Sequence, residues 1–340
     1  MNKKNKITAF LTSSITIASA VVLAACGGGG GSSSPTTSTP TSSSSSTSQT
    51  VTGTLSTPQY ASTSAQLAAF NMLNQYRTQC GFPALQENTV LDTAAQNHAK
   101  YIGLNNTITD TEVLGNPGFT GVTYATRATY ATFPQSVFVT GASGAGNEAF
   151  SSSFSAAVAG QQFIYSLLGG VYHNVVAAYP ANLVGYGEYQ TQSTVGAYTY
   201  TDSWQSMSLS STQAQTVSNA PLTFPCQGVS GLPYKDVLET PTAPNASSSG
   251  WGTPVVVMGN STDAVLLQSG TMTDTSGNQI ILQVLNSTTD PNKELAAFQA
   301  VAYPASPLSP NTTYSVSLTG TVNGTAFSRS FTFTTGNVVG

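Results

Sequence analysis

The chain has 340 residues, only 6% of them charged, with 9 basic side chains against 13 acidic ones. No basic patch is available to meet phosphate, which argues against nucleic acid as a partner. Ser, Thr, Asn, Gln and Tyr carry the solubility instead, a composition common in secreted and surface proteins.

The first residues supply Lys3, Lys4 and Lys6, then an apolar run over 7–22, then Leu23-Ala24-Ala25-Cys26. The run is too short, and too polar in its middle, for a membrane span. The pattern resembles a bacterial lipoprotein signal over 1–26, with Cys26 as the residue to be lipidated; an uncleaved anchor or an ordinary signal peptide is the alternative. Gly27 rather than Asp follows the cysteine, which in a Gram-negative host implies the outer membrane. Beyond Cys26 six basic residues face 13 acids, a net charge of −7, so membrane attachment would rest on acyl chains and not on polybasic attraction. Outside the cytoplasm the two remaining cysteines, Cys80 and Cys226, are expected to form one disulfide; two buried free thiols are the alternative.

Residues 27–57, rich in Gly, Ser, Thr and Pro, are read as a disordered tether. From there Leu67, Phe70, Leu73 and Tyr76 recur at helical spacing until Gly81 and Pro83. A second helix follows Asn88 with Leu91, Ala94, Ala95, His98, Ala99 and Ile102 on one face, which makes His98 a core or hydrogen-bonded histidine. A third helix is expected over about 150–168, and a pair of strands over 183–189 and 196–201. Residues 58–224 are therefore one α+β domain. Residues 225–250 are read as a Pro- and Gly-rich linker. Residues 251–340 are read as all-β, with strands over 254–258, 280–284, 314–319 and 327–334 and an Asn323-Gly324 hairpin turn.

Leu73-Asn74-Gln75-Tyr76-Arg77, Cys80-Gly81-Phe82-Pro83-Ala84-Leu85, the Leu91 to Ala99 helix, Asn116-Pro117-Gly118-Phe119-Thr120-Gly121 with Arg127, Tyr172-His173-Asn174 and Val184-Gly185-Tyr186-Gly187 occur in an order that resembles the CAP superfamily over about 62–206. That superfamily covers cysteine-rich secretory proteins, antigen 5 and pathogenesis-related proteins. The resemblance implies a three-layer α-β-α sandwich. The stretch from Pro307 to Gly336 resembles a bacterial Ig-like domain, which implies a second, all-β sandwich.

The resemblance also implies a central cleft with two histidines and two acids, which in some members holds a divalent metal. Here His173 falls at the late histidine position, and Asp110 of Thr109-Asp110-Thr111-Glu112 stands where the earlier histidine is expected. Gly146-Asn147-Glu148 carries its acid one place late. The candidate catalytic set is His173, Glu112, Asp110 and Glu148, with Glu188 as a further carboxylate. The candidate metal set for Zn²⁺ or Ca²⁺ is His173, Asp110 and Glu112. One imidazole is short of a usual zinc set, and the chain has no Gly-x-Ser-x-Gly elbow. The expected role is therefore binding of an envelope or host protein, polysaccharide or lipid by a membrane-anchored surface protein, including an adhesion or host-contact role. Acid/base or metal-assisted hydrolysis and lipid or sterol capture are the alternatives.

Overall fold

The structure, a computed structural model, describes residues 51–213 and 215–340. The expected signal, Cys26 and the tether up to residue 50 lie outside the described residues. Backbone pairing starts earlier than the expected boundary at 58. Thr89 N–H donates to the Gly53 carbonyl, Leu55 N–H donates to the Glu87 carbonyl (both 2.9 Å), and the Asn88 amide donates to the Thr52 carbonyl.

Helix α1, Ala65–Gln79, starts where the Ser64 hydroxyl accepts from Leu67 N–H. It buries Phe70, Leu73 and Tyr76 and stops ahead of Gly81, whose φ of 80° favours a residue without Cβ. Strand β1, Gln86–Glu87, leads to helix α2, Thr89–Leu104, capped by the Asn88 side chain. The face of α2 that is buried is the one its spacing predicts, His98 included. Helix α3, Tyr124–Tyr130, opens on a Thr123/Thr126 capping box. Strand β2, Phe138–Phe150, helix α4, Ala156–Gly169, helix α5, Val171–Ala177, strand β3, Leu183–Val195, and strand β4, Tyr198–Ser211, complete the N-terminal part.

The sheet order is β1-β3-β4-β2, with β1 parallel to β3 and the other pairs antiparallel. Helices α2 and α3 and helices α1, α4 and α5 build two separate cores about it. One core holds Leu91, Ala94, Tyr124, Val139 and Leu183; the other holds Leu73, Phe163, Leu167, Val184 and Met207. The expected third helix is α4, which begins at Ala156 and not near Phe150. It is preceded by strand β2, where no element was expected. Its Gly-, Ala- and Ser-rich run lacks the alternation of apolar and polar residues that marks a half-buried strand.

The C-terminal part contains β5, Leu222–Phe224, β6, Ser230–Leu232, β7, Val255–Met258, β8, Val265–Asp274, β9, Gln279–Ile281, β10, Gln283–Asn286, β11, Gln299–Tyr303, β12, Thr313–Val322, and β13, Thr325–Thr335. They form one sheet of order β10-β11-β7-β5 and another of order β6-β13-β12-β8-β9, and β8 packs on β10 and β11. The run 280–284, expected to be one strand, divides at Leu282 between strands of different sheets. Asn323 (φ 51°) and Gly324 (φ 79°) both take the left-handed conformation that a two-residue hairpin turn needs.

Residues 225–250 do more than link. Strand β6 joins β13, Asp236 and Trp251 exchange backbone hydrogen bonds, and the Trp251 indole N–H donates to the Gly169 carbonyl at 2.9 Å. The larger hydrophobic core runs unbroken from Leu73 and Tyr172 through Trp251 to Val301 and Phe333. The Cys80–Cys226 disulfide ties the end of α1 to the segment between β5 and β6.

Candidate functional site

The candidate residues fall into separate hydrogen-bonded groups. In the first, His98 projects from the buried face of α2 toward the loop 109–121. Its Nδ1 lies 2.9 Å from Glu112 Oε1 and its Nε2 lies 2.8 Å from the Thr109 carbonyl. A carbonyl can only accept, so Nε2 carries a hydrogen. Burial, with the Arg127 charge, lowers the His98 pKa against the pull of Glu112 and Asp110. The other Glu112 oxygen accepts from Thr120 N–H and Gly121 N–H. Burial would raise the Glu112 carboxyl, but the bonds from His98 and Thr120, with Arg127 nearby, outweigh it and hold it below the ordinary range.

Arg127 is the organiser of this loop. Its Nη1 donates to the carbonyls of Asp110, Gly121 and Val122, and its guanidinium lies 4.2 Å from the centre of the Tyr124 ring. Asp110 Oδ1 accepts from the Tyr124 hydroxyl at 2.6 Å and the Ser143 hydroxyl at 2.5 Å. Arg77 does a similar job beneath α5, donating to the carbonyls of Pro83, Ala177, Tyr179 and Ala181. Burial pushes its guanidinium down to about 10.

His173 belongs to a second group. It stands in the first turn of α5, and its Nδ1 is 2.8 Å from Glu239 Oε1. Glu239 also accepts the N–H groups of Val171, Tyr172 and His173, so one carboxylate caps the helix and engages the imidazole. Burial alone would lower His173. The Glu239 carboxylate, with Asp110 and Asp236 farther off, outweighs burial and holds the imidazole above its ordinary range. Its Nε2 is buried and has no hydrogen-bond partner.

Glu148 and Glu188 stand apart from both groups. Glu188, on β3, accepts from the Ser203 hydroxyl at 2.7 Å. Glu148, on β2, pairs across the sheet with Asp202. The acid's late position in Gly146-Asn147-Glu148 coincides with a β-bulge between Ala145 and Glu148.

The expected metal set is thus not assembled. Glu112 is committed to His98 and two backbone N–H groups, Asp110 Oδ1 to two hydroxyls, and His173 Nδ1 to Glu239. Among the described residues no group of three or more His, Cys, Asp or Glu side chains is arranged to hold a metal ion. Glu239, Tyr124 and Ser143 were not foreseen as partners. Glu239 lies 66 residues after His173, in a stretch read as linker, and carries no local signal of its role.

The described helices include none long and apolar enough to cross a membrane. No curated protein matches the chain. Among solved structures it is similar to an outer surface protein of Borrelia burgdorferi, at 16% identity and a TM-score of 0.29 over 42% of this chain and 88% of that one. It is also similar to an extracellular protein of Bacillus anthracis containing an SCP domain, at 19% identity and a TM-score of 0.27 over 41% of this chain and 39% of that one. At TM-scores this low neither likeness bears on function. Residues 70–208 match the model of the cysteine-rich secretory protein family, and the chain carries a CAP domain of that family there.

Proposed function

We propose that this chain is a lipid-anchored extracytoplasmic protein that acts by binding a partner and not by catalysis. In this reading Cys26 carries the anchor, residues 58–224 are a three-layer α-β-α CAP sandwich, and residues 251–340 are an Ig-like module. One observation carries the non-catalytic part: both imidazoles are 0% exposed and each is engaged by a carboxylate that also holds backbone N–H groups. Acid–base catalysis needs a group within reach of substrate, and metal-assisted hydrolysis needs an open ligand set. Here the charges serve as internal fasteners for the loop 109–121 and for α5.

Calorimetric titration of Zn²⁺ into the full chain, beside the His173→Ala variant, tests this. The expected result is no saturable binding in either. Saturable binding in the wild type that is lost in the variant would overturn the non-catalytic reading and justify assays for hydrolysis. The anchor is tested separately: Cys26→Ser should move the protein from the membrane to the soluble fraction.

A further inference from the structure

The β1-β3-β4-β2 sheet outruns the helix that covers one of its faces. Helix α2 ends at Leu104, and its Gly103 backs onto Tyr189 and Trp204, where an added Cβ would lie 2.5 Å and 2.9 Å from their rings. Side chains alternate along a strand, so Asp202, Tyr200 and Tyr198 continue the Trp204 face beyond the helix end. On the neighbouring strand the register sets Glu148 opposite Asp202 and Phe150 opposite Tyr200. The bulge between Ala145 and Glu148 is what brings this acid onto that face. The Phe150 ring centre lies 4.8 Å from that of Tyr200 and 5.5 Å from that of Tyr198. Phe150 is 45% exposed and Tyr198 61% exposed.

The facing carboxylates of this patch, of which Asp202 has among the described residues only the Ser193 hydroxyl to ease it, work against the stability of the sheet. Like charges directly opposite each other on adjacent strands repel. Among the described residues no Lys, Arg or His forms an ion pair with either carboxylate. Burial and the facing Asp202 raise the Glu148 carboxyl, the mark of a charge without a partner. The aromatic cluster beside the acids leaves large apolar surface in water.

We infer that this face docks a basic segment of a partner protein, with an arginine or lysine head held between Glu148 and Asp202 and its aliphatic stem laid along Phe150, Tyr198 and Tyr200. The carboxylates supply charge-assisted acceptors. The rings attract a cation through their negative faces and cover the methylene stem. Guanidinium, planar and more weakly hydrated than ammonium, suits the aromatic ladder better, so arginine is preferred. The excess of acids over bases beyond Cys26 draws basic segments toward the surface from a distance. The inference gives the binding reading a partner chemistry and a place, and it rests on that reading.

The test is fluorescence anisotropy of a labelled Arg-Gly repeat peptide titrated with the full chain, beside Lys-Gly and Gln-Gly repeats of equal length. Saturable binding is expected in the order Arg over Lys over Gln. It should weaken about tenfold or more in the Glu148→Gln/Asp202→Asn double variant and several-fold in Tyr198→Ala. Asp274→Asn, which removes an acid from another sheet, should change it little. Equal binding of the Gln-Gly peptide, or equal weakening by Asp274→Asn and Asp202→Asn, would overturn the inference. Calcium binding lost in the double variant, with no peptide binding, would overturn it in favour of a cation site. These failures would leave the binding reading standing as long as zinc gives no saturable heat, whereas zinc binding lost in His173→Ala would remove that reading itself.

Discussion

Glu239 Oε1 lies 2.8 Å from His173 Nδ1, and the same oxygen accepts the backbone N–H groups of Tyr172 and His173. A residue beyond the CAP match thus fixes the late histidine of the CAP domain and the first turn of α5 together. Glu239→Ala would leave three helix N–H groups and a buried imidazole unpartnered. It should cost about 3–5 kcal/mol, read as a fall in the urea midpoint. Glu239→Gln keeps an acceptor and should cost less. Because His173 is held above its ordinary range, its contribution is fully present below about pH 6.5 and is lost as pH rises through the folded value. The wild type should therefore lose stability between pH 5.5 and 8.5 by more than Glu239→Gln does. An identical loss in both would show that the pair does not set the titration.

A second buried acid fastens the N-terminal segment. Asp92 Oδ1 accepts from the Tyr60 hydroxyl at 2.6 Å and from Tyr186 N–H at 2.9 Å. Burial, aided by the neighbouring Glu87, pushes its carboxyl up to about 7 against the pull of those two bonds. The native state then keeps a proton that the unfolded chain releases near pH 4, so stability falls as pH rises from about 4 through 7. Asp92→Asn can still accept both bonds and should flatten that fall by on the order of 2 kcal/mol. Asp236, pushed up to about 7 mainly by its own burial, keeps part of the slope in place. Urea midpoints from pH 4.5 to 8 decide it: an unchanged slope in Asp92→Asn would place the titration elsewhere.

The parts of this molecule that could be foreseen are those with local causes. The buried face of α2 follows from residue spacing, and the turn at Asn323-Gly324 follows from the positive φ that such a pair tolerates. Strand β2 escaped because Gly, Ala and Ser give no apolar contrast at period two. Its pairing comes from β4, whose register partners lie fifty or more residues away. The site escaped for a similar reason. His173 looked like one member of a cleft with Asp110 and Glu112, yet its partner is an acid from the supposed linker. Asp110 in turn is taken up by Tyr124 and Ser143, two uncharged residues that no metal or acid–base motif marks.

The Val184-Gly185-Tyr186-Gly187 run is dictated by helix contact. A Cβ on Gly185 would lie 2.1 Å from the Leu91 carbonyl carbon, and one on Gly187 would lie 2.2 Å from the Gln96 nitrogen. Those are helix backbone atoms, which cannot swing aside as a flexible side chain can. Gly185→Ala must therefore lift α2 from β3, at a cost of about 3 kcal/mol or more. Thermal unfolding followed by far-ultraviolet circular dichroism should show a lowered Tm. A Tm equal to wild type would mean that α2 does not sit this close to the sheet.

The Cys80–Cys226 bridge spans a sequence separation of 146 residues. Restricting so long a loop in the unfolded chain is worth up to ~5 kcal/mol by chain entropy. Cys80→Ser/Cys226→Ser should therefore unfold at clearly lower urea than the oxidised wild type, and reductant should shift the wild type but not the variant. The form of the transition carries a second expectation. Trp251 donates to the Gly169 carbonyl, and Leu73, Tyr172 and Val301 belong to one hydrophobic core. Removing the bridge leaves that core intact, so tryptophan fluorescence and far-ultraviolet dichroism should still report one coincident transition. Two separated transitions in the variant would mean that the disulfide, and not the shared core, holds the CAP domain and the C-terminal sheets together.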